Sequence, residues 1–302
     1  NNPPSVSVPE TLKPGSTVTP GSNAGTDTTG NVVEPIELTR REGVYTFLAI
    51  GVDASGYNTD VIMLVVYDTV NGRINILNIP RDTYSNANSR SDKPKHINLA
   101  FANNGLDQLK YEVMNLIGYN VDWYVRINMD GFVKLINYIG GVDFYVPQDM
   151  VYDDEGQDLH INLKMGQQTL MGPQALQLVR FRKYPTADIG RINVRSDFLK
   201  AMAGQLISSQ NAVKAVELAG VVFDNVTTDV LKEDLVWFAK KAVSLNAESI
   251  YFDIVPGGPK EHTGYWIPYH DELLEKLNEY FNPFTTDIEN INIVSMLENE
   301  GK

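Results

Sequence analysis

The sequence predicts a mixed α/β (α+β) domain: three layers, with a central mixed β-sheet flanked by helices. Two observations carry this. Strand-length apolar runs and segments of helical periodicity intermingle along the chain rather than segregating into blocks. Apolar residues make up 43% of the 302, enough to bury a sizeable core.

The elements follow in order. Of the first 35 residues, 24 are Pro, Gly, Ser, Thr or Asn, and the first aromatic residue is Tyr45. Such a stretch buries too little apolar surface to offset its ordering entropy, so residues 1–40 read as a flexible linker spanning roughly 30–35 Å r.m.s.. A polar leash that begins abruptly at Asn1 is what an N-terminal membrane anchor leaves behind when removed; a simple tail is the other reading. Tyr45–Val52 and Val61–Tyr67 are continuous apolar runs of the kind found in buried strands. Asn71-Gly72 then signals a hairpin, and Arg73–Ile79 alternates as a strand pairing back on the second run. Helices are expected over Leu99–Ile117, Phe132–Ile139, Ile192–Ile207, Leu231–Leu245 and Glu272–Phe281, and strands over Trp123–Ile127, Val142–Val146 and Ser249–Val255. The globular domain is assigned to residues 41–285, and 286–302 form a weakly patterned tail whose role is open.

Charge and composition remove several functions. With 25 Lys+Arg against 38 Asp+Glu the net charge is −13, so no chain-wide nucleic-acid surface is expected. The absence of cysteine excludes thiol nucleophiles, Cys-based zinc sites and disulfides. The four His show no metal-ligand spacing, and no phosphate loop of the GxxxxGK[ST] type, GxSxG elbow or HExxH occurs.

Against this acidic average, four of the ten Arg (Arg180, Arg182, Arg191 and Arg195) fall within sixteen residues beside Lys183, opposed only by Asp188. Five cations less one carboxylate give a local +4. Read as an extended segment, Val179–Arg182 places Arg180 and Arg182 on one face. Arg191 and Arg195 stand at i, i+4 near a helix N-terminus, a place that favours anions. Guanidinium suits bidentate recognition of phosphate oxygens. The competing reading is a salt-bridged surface.

A second polar cluster surrounds the first three strands. Asp53 ends the first and Asp60 opens the next, which brings two carboxylates to one sheet edge, and Arg81-Asp82 follows the third. Carboxylates beside arginines can hold Mg²⁺ and activate a hydroxyl while the arginines hold phosphate. Ordinary turn chemistry is the alternative for each Asp.

At this point the chain resembles the LytR–CpsA–Psr proteins of Gram-positive bacteria. The matching stretches are Leu48–Asp53, Thr59–Val65, Ile79–Tyr84, Ile97–Phe101, Gly140–Asp143, Gly172–Leu176, Val179–Arg182, Asp188–Ile192 and Tyr265–Pro268, in order over roughly residues 45 to 282. The resemblance implies an LCP-like fold, with a greasy lipid pocket and an arginine-lined mouth. It also implies a membrane-anchored phosphotransferase on the extracytoplasmic face. Such an enzyme moves a polyprenyl-pyrophosphate-linked glycopolymer (wall teichoic acid, capsule or secondary wall polysaccharide) onto peptidoglycan, with a pyrophosphatase side activity.

Carried over by position, Asp53 and Asp60 would hold Mg²⁺ (or Mn²⁺), one of them taking the acceptor's proton. Arg81, Arg180, Arg182 and Arg191 would bind pyrophosphate, with Arg195 and Lys95 as further cations there and Arg81 and Arg182 as the catalytic pair. Met63, Phe101, Phe132 and Phe198 are candidates for the lipid wall, although single core aromatics are more often plain core. Three positions depart from the family pattern: Asn58 where an arginine is usual, Val194-Arg195-Ser196 where Arg-Gln-Gln is usual, and His96 where a lysine is usual. A module that binds lipid pyrophosphate or wall polymer without turning it over is the alternative function.

Overall fold

The computed structural model describes residues 2–7, 39–53, 55–85, 96–157, 159–184, 187–208, 212–260 and 262–293, with the backbone alone at 157, 187–189, 191, 192, 207, 208, 212, 213 and 247. Strands β1 (Val44–Val52), β2 (Thr59–Asp68) and β3 (Arg73–Ile79) open the domain as an antiparallel meander. Helix α1 (Asn98–Ile117) leads to β4 (Trp123–Ile127), parallel to β1, and α2 (Met129–Tyr138) follows. Four short strands come next: β5 (Val142–Val146), β6 (Met150–Asp154), β7 (Leu159–Leu163) and β8 (Gly166–Leu170), in which β5 pairs with β8 and β6 with β7. Helices α3 (Gly172–Arg180), α4 (Ala187–Ser208) and α5 (Ala212–Asn225) precede β9 (Val226–Thr228), α6 (Lys232–Ala242) and β10 (Ile250–Ile254). A small pair, β11 (Gly257–Pro259) and β12 (Trp266–Pro268), ends in α7 (His270–Lys276) and a π-helical turn over Leu277–Phe281.

The main sheet runs β10-β3-β2-β1-β4-β9 and mixes parallel with antiparallel pairs, as expected. Strand alternation sorts its side chains. Leu48, Ile50, Ile62, Leu64 and Leu77 pack on one face with Leu109 and Val113 of α1 and Leu273 of α7. Tyr45, Phe47, Val65 and Tyr67 pack on the other with Leu235 and Phe238 of α6. Both faces are covered, which is why the first two strands read as continuous apolar runs. A third cluster, including Ile136, Val146, Ile161, Leu178 and Phe198, holds the short strands, α2, α3 and α4 together.

Several expectations are revised. The hairpin loop is Thr69–Gly72, longer than the two-residue turn that Asn-Gly favours. Only Gly72 takes positive φ (64°), because the Asp68 carboxylate accepts from Val70 N, Asn71 N and Asn71 Nδ2 and so stabilises a wider turn. Helix α1 is interrupted at Asn104-Gly105, where Gly105 has φ 79°. Both domain edges also shift. Pro4 is buried and Val6 packs against the Tyr45–Phe238 cluster, so the linker's first residues touch the core. Ile288 and Ile291 are 6% exposed in the first cluster, which carries the core past residue 285. Residues 8–38 and 294–302 and Lys95 lie outside the described residues.

Candidate active site

The two carboxylates are placed by local geometry. Asp53 follows β1 and folds the next turn around itself: its carboxylate accepts from Ser55 Oγ (2.6 Å), Asn58 Nδ2 (2.8 Å) and Asn58 N (3.3 Å). Burial pushes its pKa up, but the hydrogen bonds from Ser55, Asn58 and Tyr57 outweigh that and hold it below the usual carboxylate range. Asp53 thus makes the hydrogen bonds of an ordinary turn, and Asn58, which departs from the family pattern, is one of its donors. Asp60 is placed by a bulge: Gly51 pairs with Val61 and Val52 with Thr59, which leaves Asp60 as the extra residue. A bulge redirects a side chain without ending the strand. Here it brings Asp60 Oδ1 to Arg81 Nη1 at 2.7 Å.

Arg81 sits in the turn after β3, with Nε 3.5 Å from Asp82 Oδ1. Burial lowers its pKa, but Asp82 and Asp60 outweigh burial and raise it, so the guanidinium stays charged. Asn98, at the start of α1, ties this turn to β2: its N–H donates to Arg81 O (3.2 Å), and its carbonyl accepts from Thr59 Oγ1 (3.2 Å). Its side-chain Oδ1 is buried and takes no hydrogen bond.

The arginine run is not extended. Arg180 is the last residue of α3, and Phe181 turns the chain out with φ −64° and ψ 135°. The signal for this helix was Gly172-Pro173, since Pro is favoured in a helix's first turn and alternation over four residues is weak evidence for a strand. Arg180, Arg182 and Lys183 nevertheless line one polar mouth of ≈ 680 Å³ with Asp53, Asp60, Arg81 and Asn98. Neither Arg180 nor Arg182 forms an ion pair among the described residues; the Asp188 side chain, the carboxylate opposing them in sequence, lies outside those described. Arg191 lies in α4 by its backbone. Arg195 donates from Nη1 to Asp60 O (2.9 Å) and from Nη2 to Val179 O (2.6 Å). His96 Nδ1 stands 3.6 Å from Asp82 Oδ1, and its ring packs on Tyr265 outside the mouth's lining.

A second cavity of ≈ 220 Å³ shares Asp60, Met129, Arg180 and Arg195 with the mouth, and its remaining wall is almost wholly apolar. Met63 and Phe132 line it as the sequence suggested, joined by Val125, Leu176, Leu199, Met202 and Val222. Phe198 belongs instead to the short-strand core, and Phe101 packs near the α1 cluster beneath Arg126.

For a cation, the mouth's lining offers hard oxygen donors in the Asp53 and Asp60 carboxylates and in Asn98, whose Oδ1 takes no hydrogen bond among the described residues. Among the described residues no group of three His, Cys, Asp or Glu converges. That set fits Mg²⁺, which keeps several waters and takes one or two carboxylates together with substrate phosphates.

Fold and site define a mixed α/β domain in which a polar mouth lined by arginines and carboxylates adjoins an apolar cavity against the sheet. The chain belongs to the LytR_cpsA_psr family, whose model matches residues 17–282. It is 32% identical over 178 residues to the polyisoprenyl-teichoic acid–peptidoglycan teichoic acid transferase TagV of Bacillus subtilis, covering 57% of this chain and 45% of that protein. It is 28% identical over 197 residues to the regulatory protein MsrR of Staphylococcus aureus, covering 63% and 58%. The chain thus spans about half the length of these curated relatives. The crystal structure of B. subtilis TagV superposes with TM-score 0.65 at 25% identity, covering 78% of this chain and 95% of that one.

Proposed function

We propose that this chain is a phosphotransferase that moves a glycopolymer from a polyprenyl-pyrophosphate carrier onto peptidoglycan. The observation that supports it best is the pair of unpaired guanidinium groups, Arg180 and Arg182, in a mouth that shares a wall with an apolar cavity. The relative named as a teichoic acid transferase, TagV, supports the same reading.

In this reading the prenyl chain lies against Met63, Phe132 and Leu199, and the pyrophosphate lies across Arg180 and Arg182; Arg191 and Lys95 are carried as further phosphate ligands from the sequence alone. The acceptor hydroxyl oxygen attacks the phosphorus that carries the glycopolymer. A new O–P bond forms, the bond from that phosphorus to the bridging oxygen breaks, and polyprenyl monophosphate leaves with the bridging electrons. Asp60 Oδ2, which takes no hydrogen bond from the described residues, accepts the hydroxyl proton while Arg81 fixes Oδ1. Asp53 and Asp60 would hold a divalent cation, Mg²⁺ or Mn²⁺, which would supply neutralisation of phosphate charge. No covalent enzyme intermediate is required, because phosphoryl transfer rests on positioning and electrostatics. Water in place of the acceptor gives the pyrophosphatase side reaction. An extracytoplasmic location, with membrane attachment ahead of the linker, completes the proposal; no helix among the described residues is long and apolar enough to cross a membrane.

The test supplies purified protein with a short prenyl-pyrophosphate saccharide, a peptidoglycan fragment and Mg²⁺, and follows release of prenyl phosphate. Release that is lost on Arg182→Ala and on chelation supports the reading. Tight binding without release would favour the carrier-binding module, for which the departure at Val194 is the motivating observation.

A further inference from the structure

Arg195 stands where the family pattern has a glutamine, and its charge suggests another pyrophosphate ligand. The hydrogen bonds point elsewhere. The extra residue of a bulge drops out of the strand ladder, so the Asp60 carbonyl needs an outside donor. The last carbonyls of a helix also lack intrahelical partners, and Val179 is the penultimate residue of α3. The Arg195 fork supplies both, reaching Asp60 O with Nη1 and Val179 O with Nη2. One of these carbonyls belongs to the carboxylate paired with Arg81, and the other immediately precedes Arg180. The next residue of α4, Ser196, accepts from Asn78 Nδ2 of β3 (3.4 Å), which seats the helix on the same strand ends. Asn98 holds this region from the opposite side, through Thr59 and Arg81. Arg195 also contributes to the walls of both the polar mouth and the apolar cavity.

We propose that Arg195 is a positioning residue: it ties the bulge that carries Asp60 to the helix end that carries Arg180, and so sets the spacing between the proton-accepting carboxylate and the phosphate-binding arginine. This rests on the phosphotransferase reading above. A planar fork is required, because two carbonyls on different segments must be met at once, and an ammonium group acts as a point charge.

The experiment compares Arg195→Ala, Arg195→Gln and Arg195→Lys with Arg182→Ala. Binding of a short prenyl pyrophosphate and the saturated transfer rate are measured separately, and hydrogen exchange is followed without any ligand. A spacing role predicts that Arg195→Ala loses on the order of 10²-fold in kcat, the scale expected for a misplaced reacting group. Its Kd should stay within about 3-fold of wild type, under half a decade of binding. Added guanidinium should restore part of the rate to Arg195→Ala, and Arg195→Lys should recover little. Exchange should quicken in residues 59–62 and 178–182. Arg182→Ala should instead weaken binding.

A Kd for Arg195→Ala that rises in step with Arg182→Ala, at unchanged kcat, would make Arg195 a ligand and overturn the proposal, as would unchanged exchange in both segments. Should Arg195→Ala not fold, Arg195→Gln carries the same comparison. A wild-type protein that neither binds nor transfers defeats the phosphotransferase reading, and the exchange result alone then decides whether Arg195 braces the two segments.

Discussion

Arg81 Nη1 donates to Asp60 Oδ1 at 2.7 Å, joining a bulge in β2 to the turn that ends β3. Both side chains are less than a quarter exposed, at 23% and 21%. The pair therefore fixes one oxygen of the carboxylate and leaves the other without a hydrogen bond among the described residues. Asp60→Asn keeps the shape and removes the charge. It should lower transfer by about 10²–10³-fold, as loss of one preorganised electrostatic group does. Arg81→Ala should in addition cost about 1–3 kcal/mol in a urea melt, since it strips partners from half-buried carboxylates.

Arg182 is exposed and supports no packing. Arg182→Ala should leave stability within about 0.5 kcal/mol of wild type. Prenyl-pyrophosphate affinity should fall roughly 10-fold, the value of about 1.4 kcal/mol for a charge-assisted contact. Isothermal titration at two salt concentrations checks both the loss and its electrostatic origin. An affinity that stays at the wild-type value would remove Arg182 from the site.

Acid should destabilise the fold in a defined window. For Asp53, burial raises the pKa and the hydrogen bonds from Ser55 and Asn58 outweigh it. For Asp253, burial raises it and Lys276, Tyr251 and Ile254 N outweigh it. Both folded values lie below the unfolded value of about 3.9. The stability these groups contribute is therefore fully present above about pH 4 and is lost as pH falls through the folded values. Urea melts between about pH 5 and pH 2 should show this slope, and it should be shallower in Ser55→Ala. An identical slope in that variant would contradict the assignment.

Filling the apolar cavity should separate head from tail. Val222→Trp places a large ring among Met63, Leu199 and Met202. It should abolish binding of a prenyl pyrophosphate while leaving inorganic pyrophosphate on the arginines, at an overpacking cost of about 1–3 kcal/mol. Equal loss of both ligands would mean that the variant had disturbed the mouth.

Described residues after 285 belong to the core. Ile288 and Ile291 are buried, and Asn292 N donates to Asn115 O at 2.7 Å. Ile288→Ala should cost about 2–5 kcal/mol, as truncation of a buried Ile does. A thermal melt unchanged by deletion of residues 286–302 would overturn this boundary.

Much of this protein was legible without coordinates. The strands Arg73–Ile79, Trp123–Ile127 and Val142–Val146 match their sequence bounds, because strand alternation and apolar run length are local signals. The family resemblance, not residue type alone, brought Arg180 and Arg182 together with Asp53, Asp60 and Arg81, and all five line one mouth. The helix over Arg180 was misread because a short stretch satisfies either period, and the apolar cavity's walls were half missed because many of them come from four helices.

What the sequence determined by itself was the inventory: a mixed α/β core, a cysteine-free acidic chain, and a local excess of guanidinium beside two carboxylates. Which group meets which was decided only by tertiary structure. The Asp60 carbonyl and the Arg195 guanidinium are 135 residues apart in sequence and 2.9 Å apart in space. Nothing local to either residue encodes that meeting. It follows from a bulge that leaves one carbonyl over, a helix end that leaves another, and the packing of α4 across both.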